Sequence, residues 1–278
     1  MATTDSTVRA FCRRVLECGD LASKLDAPPP HGLDDGEPGP PLAIGSPARA
    51  PALSLSDGAG KLPRPAELAA PAARAACLAR FAHHELMAVE LFAWALLRWP
   101  QLPPPLRRGL LGVLVDEQRH CGLYLERLEA HGSSLAEHPR SDYFWKHAQA
   151  IAASPYGARA FLCAMGLTLE QANLDFSLLY RDAFREAGDV ASARVCQLVH
   201  DDEVRHVRLA ARWLRRLGPD TGTGDDLDAY LEAVPFPFAP ARAKGRRFDA
   251  AARRRAGLSE RFIEAVRNAR SLTGRARG

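Results

Sequence analysis

Residues 110–128 read Leu110-Leu111-Gly112-Val113-Leu114-Val115-Asp116-Glu117-Gln118-Arg119-His120-Cys121-Gly122-Leu123-Tyr124-Leu125-Glu126-Arg127-Leu128. At helical spacing, Leu110, Val113, Glu117, His120, Tyr124 and Leu128 fall on one stripe. A glutamate and a histidine three residues apart therefore interrupt the face that should meet a core. The same pattern recurs at Asp202-Glu203-Val204-Arg205-His206, where Val195, Val199, Glu203, His206, Ala210, Trp213 and Leu217 form the stripe. An ionised carboxylate on such a face costs several kcal/mol, on the order of a lost core side chain, unless it is paired or bound to a metal. One Glu-x-x-His is weak evidence. Two, each on an apolar stripe, call for a shared compensation, and a metal centre supplies it.

Each motif has a glutamate upstream on a second helix. Leu78, Ala82, Glu85, Val89, Phe92 and Leu96 share one face, as do Cys163, Leu167, Glu170, Leu174 and Ser177. Glu85 precedes Glu117 by 32 residues, and Glu170 precedes Glu203 by 33. The chain thus contains two similar helix pairs. Glu90 is an alternative to Glu85, because it sits on a neighbouring stripe with Leu86, Trp94 and Leu97. Asp175 stands to Glu170 as Glu90 stands to Glu85, so the second pair leaves both open. Matching the interval to known bundles favours Glu85. His83 and His84 are read as neighbours of the ligands or surface groups. Asp116 and Asp202 are candidates to accept from the outer imidazole nitrogens, or to pair with Arg119 and Arg205.

Outward from these motifs, four long helices are predicted: Ala72 to Trp99, Pro103 to His131, Tyr156 to Ala187, and Asp189 as a cap for a helix to Leu217. Pro100, Gly132, Gly188 and Gly218 punctuate them. A shorter helical segment is expected near Asp142 to Ala153, within the polar crossover between the second and third helices. An opening helix is expected from Thr7 to Leu25, followed by a Pro/Gly-rich linker or strap from Pro28 to Pro51. The expectation is an all-α, ferritin-like four-helix bundle with an N-terminal helix, a Pro-rich strap and a helical C-terminal extension. Its parts would be residues 1–65 (helix and strap), 66–220 (metal-binding bundle) and 221–278 (basic extension).

Composition adds boundaries. With 278 residues, 47% of them hydrophobic, the chain can build a sizeable core. Its longest apolar runs, such as Leu91 to Leu97, are too short to span a bilayer. The opening residues do not read as a secretory signal. The six cysteines form no CxxC pair, which predicts buried, reduced thiols and a cytoplasmic protein. The net charge of +4 is uneven: from Ala241 to Gly278, twelve Lys/Arg stand against three acids. This tail is read as a solvated basic helix, with nucleic acid as a less favoured partner.

Phe81-Ala82-His83-His84-Glu85-Leu86, the Asp116 to His120 run, Gly166-Leu167-Thr168-Leu169-Glu170-Gln171-Ala172-Asn173 and His200 to His206 together resemble a bacterial ferritin-like family of unknown function, domain-of-unknown-function family 455. The resemblance extends over the Phe11 to Ala27 opening and the Arg253-Arg254-Arg255-Ala256-Gly257-Leu258-Ser259 tail. It implies membership of the di-iron carboxylate superfamily and no specific reaction. The duplicated Glu-x-x-His arrangement is more distantly similar to the di-iron hydroxylase of isopentenylated tRNA adenosine.

Four glutamates and two histidines (Glu85, Glu117, His120, Glu170, Glu203, His206) are the donor set of dinuclear carboxylate bundles. They would both hold the metals and carry the chemistry. Carboxylate with imidazole suits two iron ions, two manganese ions or a mixed pair. The function expected is an O2-dependent oxidase or hydroxylase of a small molecule, fed by an external reductase, since no flavin or nucleotide motif is present. Alternatives are an iron-handling ferroxidase or peroxide-detoxifying protein, and a non-catalytic bundle that binds RNA or a partner.

Overall fold

The computed structural model describes residues 5–29, 32–56, 61–218 and 225–270. Parts of the predicted strap (30–31), of the segment after the fourth long helix (219–224) and of the basic tail (271–278) lie outside the described residues. Those described are helical and contain no strand, with one isolated parallel bridge between Thr7 and Asp34. The architecture is all-α and fits a helical bundle. No described helix is long and apolar enough to cross a membrane.

The helices are α1 (Val8–Glu17), α2 (Leu21–Leu25), α3 (Pro71–Arg98), α4 (Pro104–Ala130), α5 (Ala148–Ala153), α6 (Ala158–Ala164), α7 (Gln171–Glu186), α8 (Val190–Leu217), α9 (Asp226–Ala233), α10 (Ala250–Arg255) and α11 (Glu260–Asn268). They divide into two compact units. The first comprises residues 1–149 and 186–195, the second residues 150–185 and 196–278, so the division falls within α8.

In the first unit, α3 and α4 start at prolines, whose missing N–H costs nothing in a first turn. They run antiparallel. Near the α3 C-terminus, Arg107 donates to the Leu96 carbonyl (2.8 Å), and half a helix away the Cys121 thiol donates to the Ala82 carbonyl (3.2 Å). Leu78, Ala82, Leu86, Val89, Leu110, Leu114 and Tyr124 are buried along this pair. Each such apolar side chain contributes about 1.5–3 kcal/mol.

The Pro/Gly-rich stretch is a strap rather than a free linker. Its backbone N–H groups donate outward: Leu42 to Leu97 O (3.0 Å), Ala48 to Leu16 O (2.7 Å) and Ala50 to Gly19 O (2.8 Å). Arg107 grips Asp35 through two nitrogens, at 2.7 and 2.5 Å. The strap also explains one correction. The opening helix is two helices, broken at Cys18 to Asp20. A Cβ on Gly19 would lie 2.7 Å from the Ala50 nitrogen, and Asp20 caps α2 by accepting from the Ser23 N–H. The chain leaves the helix there so that the strap backbone can approach.

In the second unit, α7 and α8 are also antiparallel, with Arg181 against Gln197 and Asn173 against Glu203. The predicted third helix is not continuous α-helix. Between α6 and α7, Met165–Glu170 forms a π-helical turn, one residue wider per bond than an α-turn. At Gly166 an added Cβ would stand 2.3 Å from the Ala210 Cβ, so the π turn and α8 make backbone-close contact.

One arginine of the basic tail departs from the solvated-helix reading. Arg253 in α10 is fully buried and bound bidentately to Asp175 at 2.7 and 2.9 Å. Arg247, Arg254 and Arg261 are exposed and pair with Asp182, Glu260, and Asp225 and Asp228 respectively.

Candidate metal centre

Glu85 projects from the middle of α3, and Glu117 and His120 from the middle of α4. The antiparallel register sets them opposite one another. One potential ligand atom from each lies within 4.8 Å of the others. The His120 Nδ1 stands 3.3 Å from Glu117 Oε2, as the three-residue spacing requires. Glu117 and His120 are fully buried, and Glu85 is 7% exposed.

The second unit repeats this. Glu170 closes the π turn, and Glu203 and His206 come from α8. Their ligand atoms again lie within 4.8 Å of one another. The His206 Nδ1 is 3.2 Å from Glu203 Oε2 and 3.5 Å from Glu170 Oε2. All three are buried. Asn173, one turn beyond Glu170, donates to Glu203 Oε1 at 2.7 Å and fixes that carboxylate. At the corresponding position of α3 stands Ala88.

Each triad therefore brings two carboxylates and an imidazole together out of water. Two like charges at this separation repel strongly in a low-dielectric site. A divalent cation offsets that repulsion and uses every donor. The chemistry fits a hard or borderline metal. Burial pushes the Cys121 thiol well up, and Glu85, Glu90 and Glu117 push it further; the thiol donates to the Ala82 carbonyl. These buried Glu/His clusters can hold a metal ion, and each unit brings together three of the residues predicted from the sequence.

The flanking residues are used differently. Glu90, the alternative to Glu85, belongs to a separate buried network. Lys24 lies 3.1 Å and Arg49 2.5 Å from its carboxylate, and the Trp145 indole donates to it at 2.9 Å. Burial raises the Glu90 carboxyl and lowers the Lys24 ammonium, against the mutual attraction that holds both charged. Asp175 likewise serves Arg253, and it accepts from the backbone N–H groups of Gly245 (2.8 Å) and Asp249 (2.7 Å). Asp116 and Asp202 pair with Arg119 (3.1 Å) and Arg205 (2.5 Å). His83 is buried, with its Nε2 2.7 Å from the Ser141 carbonyl, so that nitrogen carries the proton. His84 stacks against Tyr143 and Phe144. All six cysteines are free thiols, five of them buried.

Sequence reasoning did not reach the π turn, Asn173 or the Asp175–Arg253 pair. Asn173 carried a signal, since it follows Glu170 by three residues on a face otherwise apolar. A π turn and a partner 78 residues away leave no local trace.

No curated protein and no solved structure matches the chain. A family profile does match, over residues 6–264. With nearly the whole chain covered, the protein belongs to the family described as "protein of unknown function (DUF455)".

Proposed function

We propose that each triad holds one metal ion, and that the protein is a non-haem di-iron carboxylate oxidoreductase. The observation that carries this reading is the repetition of one buried Glu plus Glu-x-x-His triad in two helix pairs of matching antiparallel register. Glu85, Glu117 and His120 would serve one ion, and Glu170, Glu203 and His206 the other. Iron is the metal proposed, with manganese or a mixed pair accepted by the same donors. When bound, such a pair supplies the redox equivalents for oxidation of a substrate by O2, with an external reductase restoring it.

The chain's own residues then have definite tasks. The four carboxylates neutralise cationic charge in a site closed to water. The imidazoles add neutral donors whose orientation is set by the i, i+3 spacing. Asn173 donates to Glu203 Oε1 and holds that carboxylate in place, with Oε2 beside the His206 Nδ1. Within each unit, buried apolar residues of the same segments (Leu78 and Ala82 in the first; Leu167, Leu174, Val199 and Val207 in the second) keep the interior dry, where electrostatic contacts are stronger.

The test is metal content per chain after anaerobic loading with ferrous ion, followed by exposure to O2 with optical monitoring. Two irons per chain and an oxygen-dependent absorption are expected. Absence of bound iron, with Glu117 and Glu203 replaceable without effect, would sink the proposal.

A further inference from the structure

Tyr230, in α9 of the C-terminal extension, is fully buried, and its hydroxyl lies 2.7 Å from the Thr168 Oγ1 inside the π turn. The direction of that bond is forced. The Thr168 hydroxyl spends its one proton on the Cys163 carbonyl, also at 2.7 Å, because a carbonyl only accepts. The Tyr230 hydroxyl must therefore donate to Thr168. Burial pushes the Tyr230 phenol above its ordinary range, which keeps that donor proton in place. The ring itself is pinned by Phe262 of α11, with centroids 4.9 Å apart.

The bond's position gives it meaning. Thr168 and Cys163 are five residues apart, the spacing of a π turn and not of an α-turn. A threonine back-bonding over five residues caps the wider loop. On its other side the π turn is wedged against α8, where Gly166 meets Ala210, one turn beyond His206. Glu170 is the last residue of this turn and reaches to 3.5 Å from the His206 Nδ1. If the turn relaxed to regular α-helix, the register would shift by one residue. That is about 100° of rotation between α6 and Glu170, enough to carry the carboxylate out of the triad.

We infer that Tyr230, acting through Thr168, is a positioning residue that locks the π turn and so delivers Glu170 to the metal ligand set. The extension is then part of the site's construction rather than an appendage to it. This rests on the metal reading proposed above. No counterpart is required on α3, where Glu85 lies within an uninterrupted α-helix.

The experiment uses the full chain, stripped of metal and titrated with Mn2+ and, anaerobically, with Fe2+. Wild type is expected to take two ions. Tyr230→Phe and Thr168→Val should each weaken one of the two by tenfold or more. Thr168→Ser, which keeps the hydroxyl, should restore wild-type binding and covers the case in which the other variants fold poorly. In a Glu170→Ala background, Tyr230→Phe should have no further effect on metal affinity, because its only route to the metal is gone. Unchanged binding of both ions by Tyr230→Phe would overturn the inference while leaving the metal reading intact. An equal loss with and without Glu170 would also overturn it, by showing general loosening. Failure of wild type to bind either ion would instead remove the metal reading and this inference with it.

Discussion

The α3–α4 pair and the α7–α8 pair carry acids at nearly the same offsets, yet they spend the second acid on different partners. Glu90 follows Glu85 by five residues, and Asp175 follows Glu170 by five. Five residues of α-helix turn a side chain about 140° away, so neither second acid can face the same site as the first. Glu90 is held by Lys24 and Arg49 from the N-terminal helix and strap, with the Trp145 indole. Asp175 is held by Arg253 and two backbone N–H groups of the C-terminal extension. The helices therefore have two working faces each. One bears the metal-ligand candidates, and the other is a socket for whichever terminal segment lies over it. The first unit fills its socket with side-chain cations, the second with one guanidinium and main chain.

Replacing a Glu-x-x-His glutamate should have the largest effect and breaks the comparison most directly. Glu117→Ala and Glu203→Ala should each lower iron loading by one ion per chain after anaerobic reconstitution, against two in wild type. Unchanged loading in one of these variants would show that the matching triads do not do matching work.

Next come the sockets. Arg253→Leu strands the fully buried Asp175 and should cost about 3–5 kcal/mol in urea unfolding, whereas the double variant with Asp175→Leu should recover most of that. Glu90→Leu should cost at least as much, since it strands two cations. A smaller cost for Glu90→Leu than for Arg253→Leu would show that the strap is less firmly seated than the tail.

A milder effect is expected at the position where the pairs diverge in shape. Gly166 occupies the place that Phe81 takes on α3. Gly166→Ala should destabilise by about 1–3 kcal/mol, because its new methyl would lie 2.3 Å from Ala210. Ala210→Gly should rescue it in thermal melts.

The smallest effect concerns acid. Burial pushes Asp189, the cap of α8, up, but Ser192, His131 and Arg127 outweigh this and hold it below the usual carboxylate value. Asp249, the cap of α10, is likewise held down: burial is outweighed by the Ala252 N–H, His200 and Arg255. A carboxylate lowered in the folded state stabilises above its unfolded pKa of about 3.9, and that stability is lost as pH falls through the folded value. Melting temperature should accordingly begin to drop near pH 4, and Asp189→Asn should flatten part of that drop. A drop unaltered by either Asp189→Asn or Asp249→Asn would assign acid sensitivity to other groups.

The long helices and the six ligand candidates were legible because each depends on local periodicity and on a polar residue breaking it. Pro100, Gly132, Gly188 and Asp189 marked the ends by backbone rules that act within a few residues. The choice of Glu85 over Glu90 rested on interval matching alone, since both lie on apolar stripes and the Lys24 and Arg49 that hold Glu90 are distant in sequence. The break at Gly19 depends on Ala50, and the burial of Arg253 on Asp175; neither partner is near in sequence. An arginine count reports charge, whereas burial depends on what lies opposite.

The Arg253–Asp175 pair also sets a limit on how far this protein can be shortened. Asp175 lies in a dry socket, so removing Arg253 leaves a charge defect five residues from Glu170. Any attempt to trim the chain to a minimal helical core will meet that defect, and will have to replace the acid along with the segment that covers it.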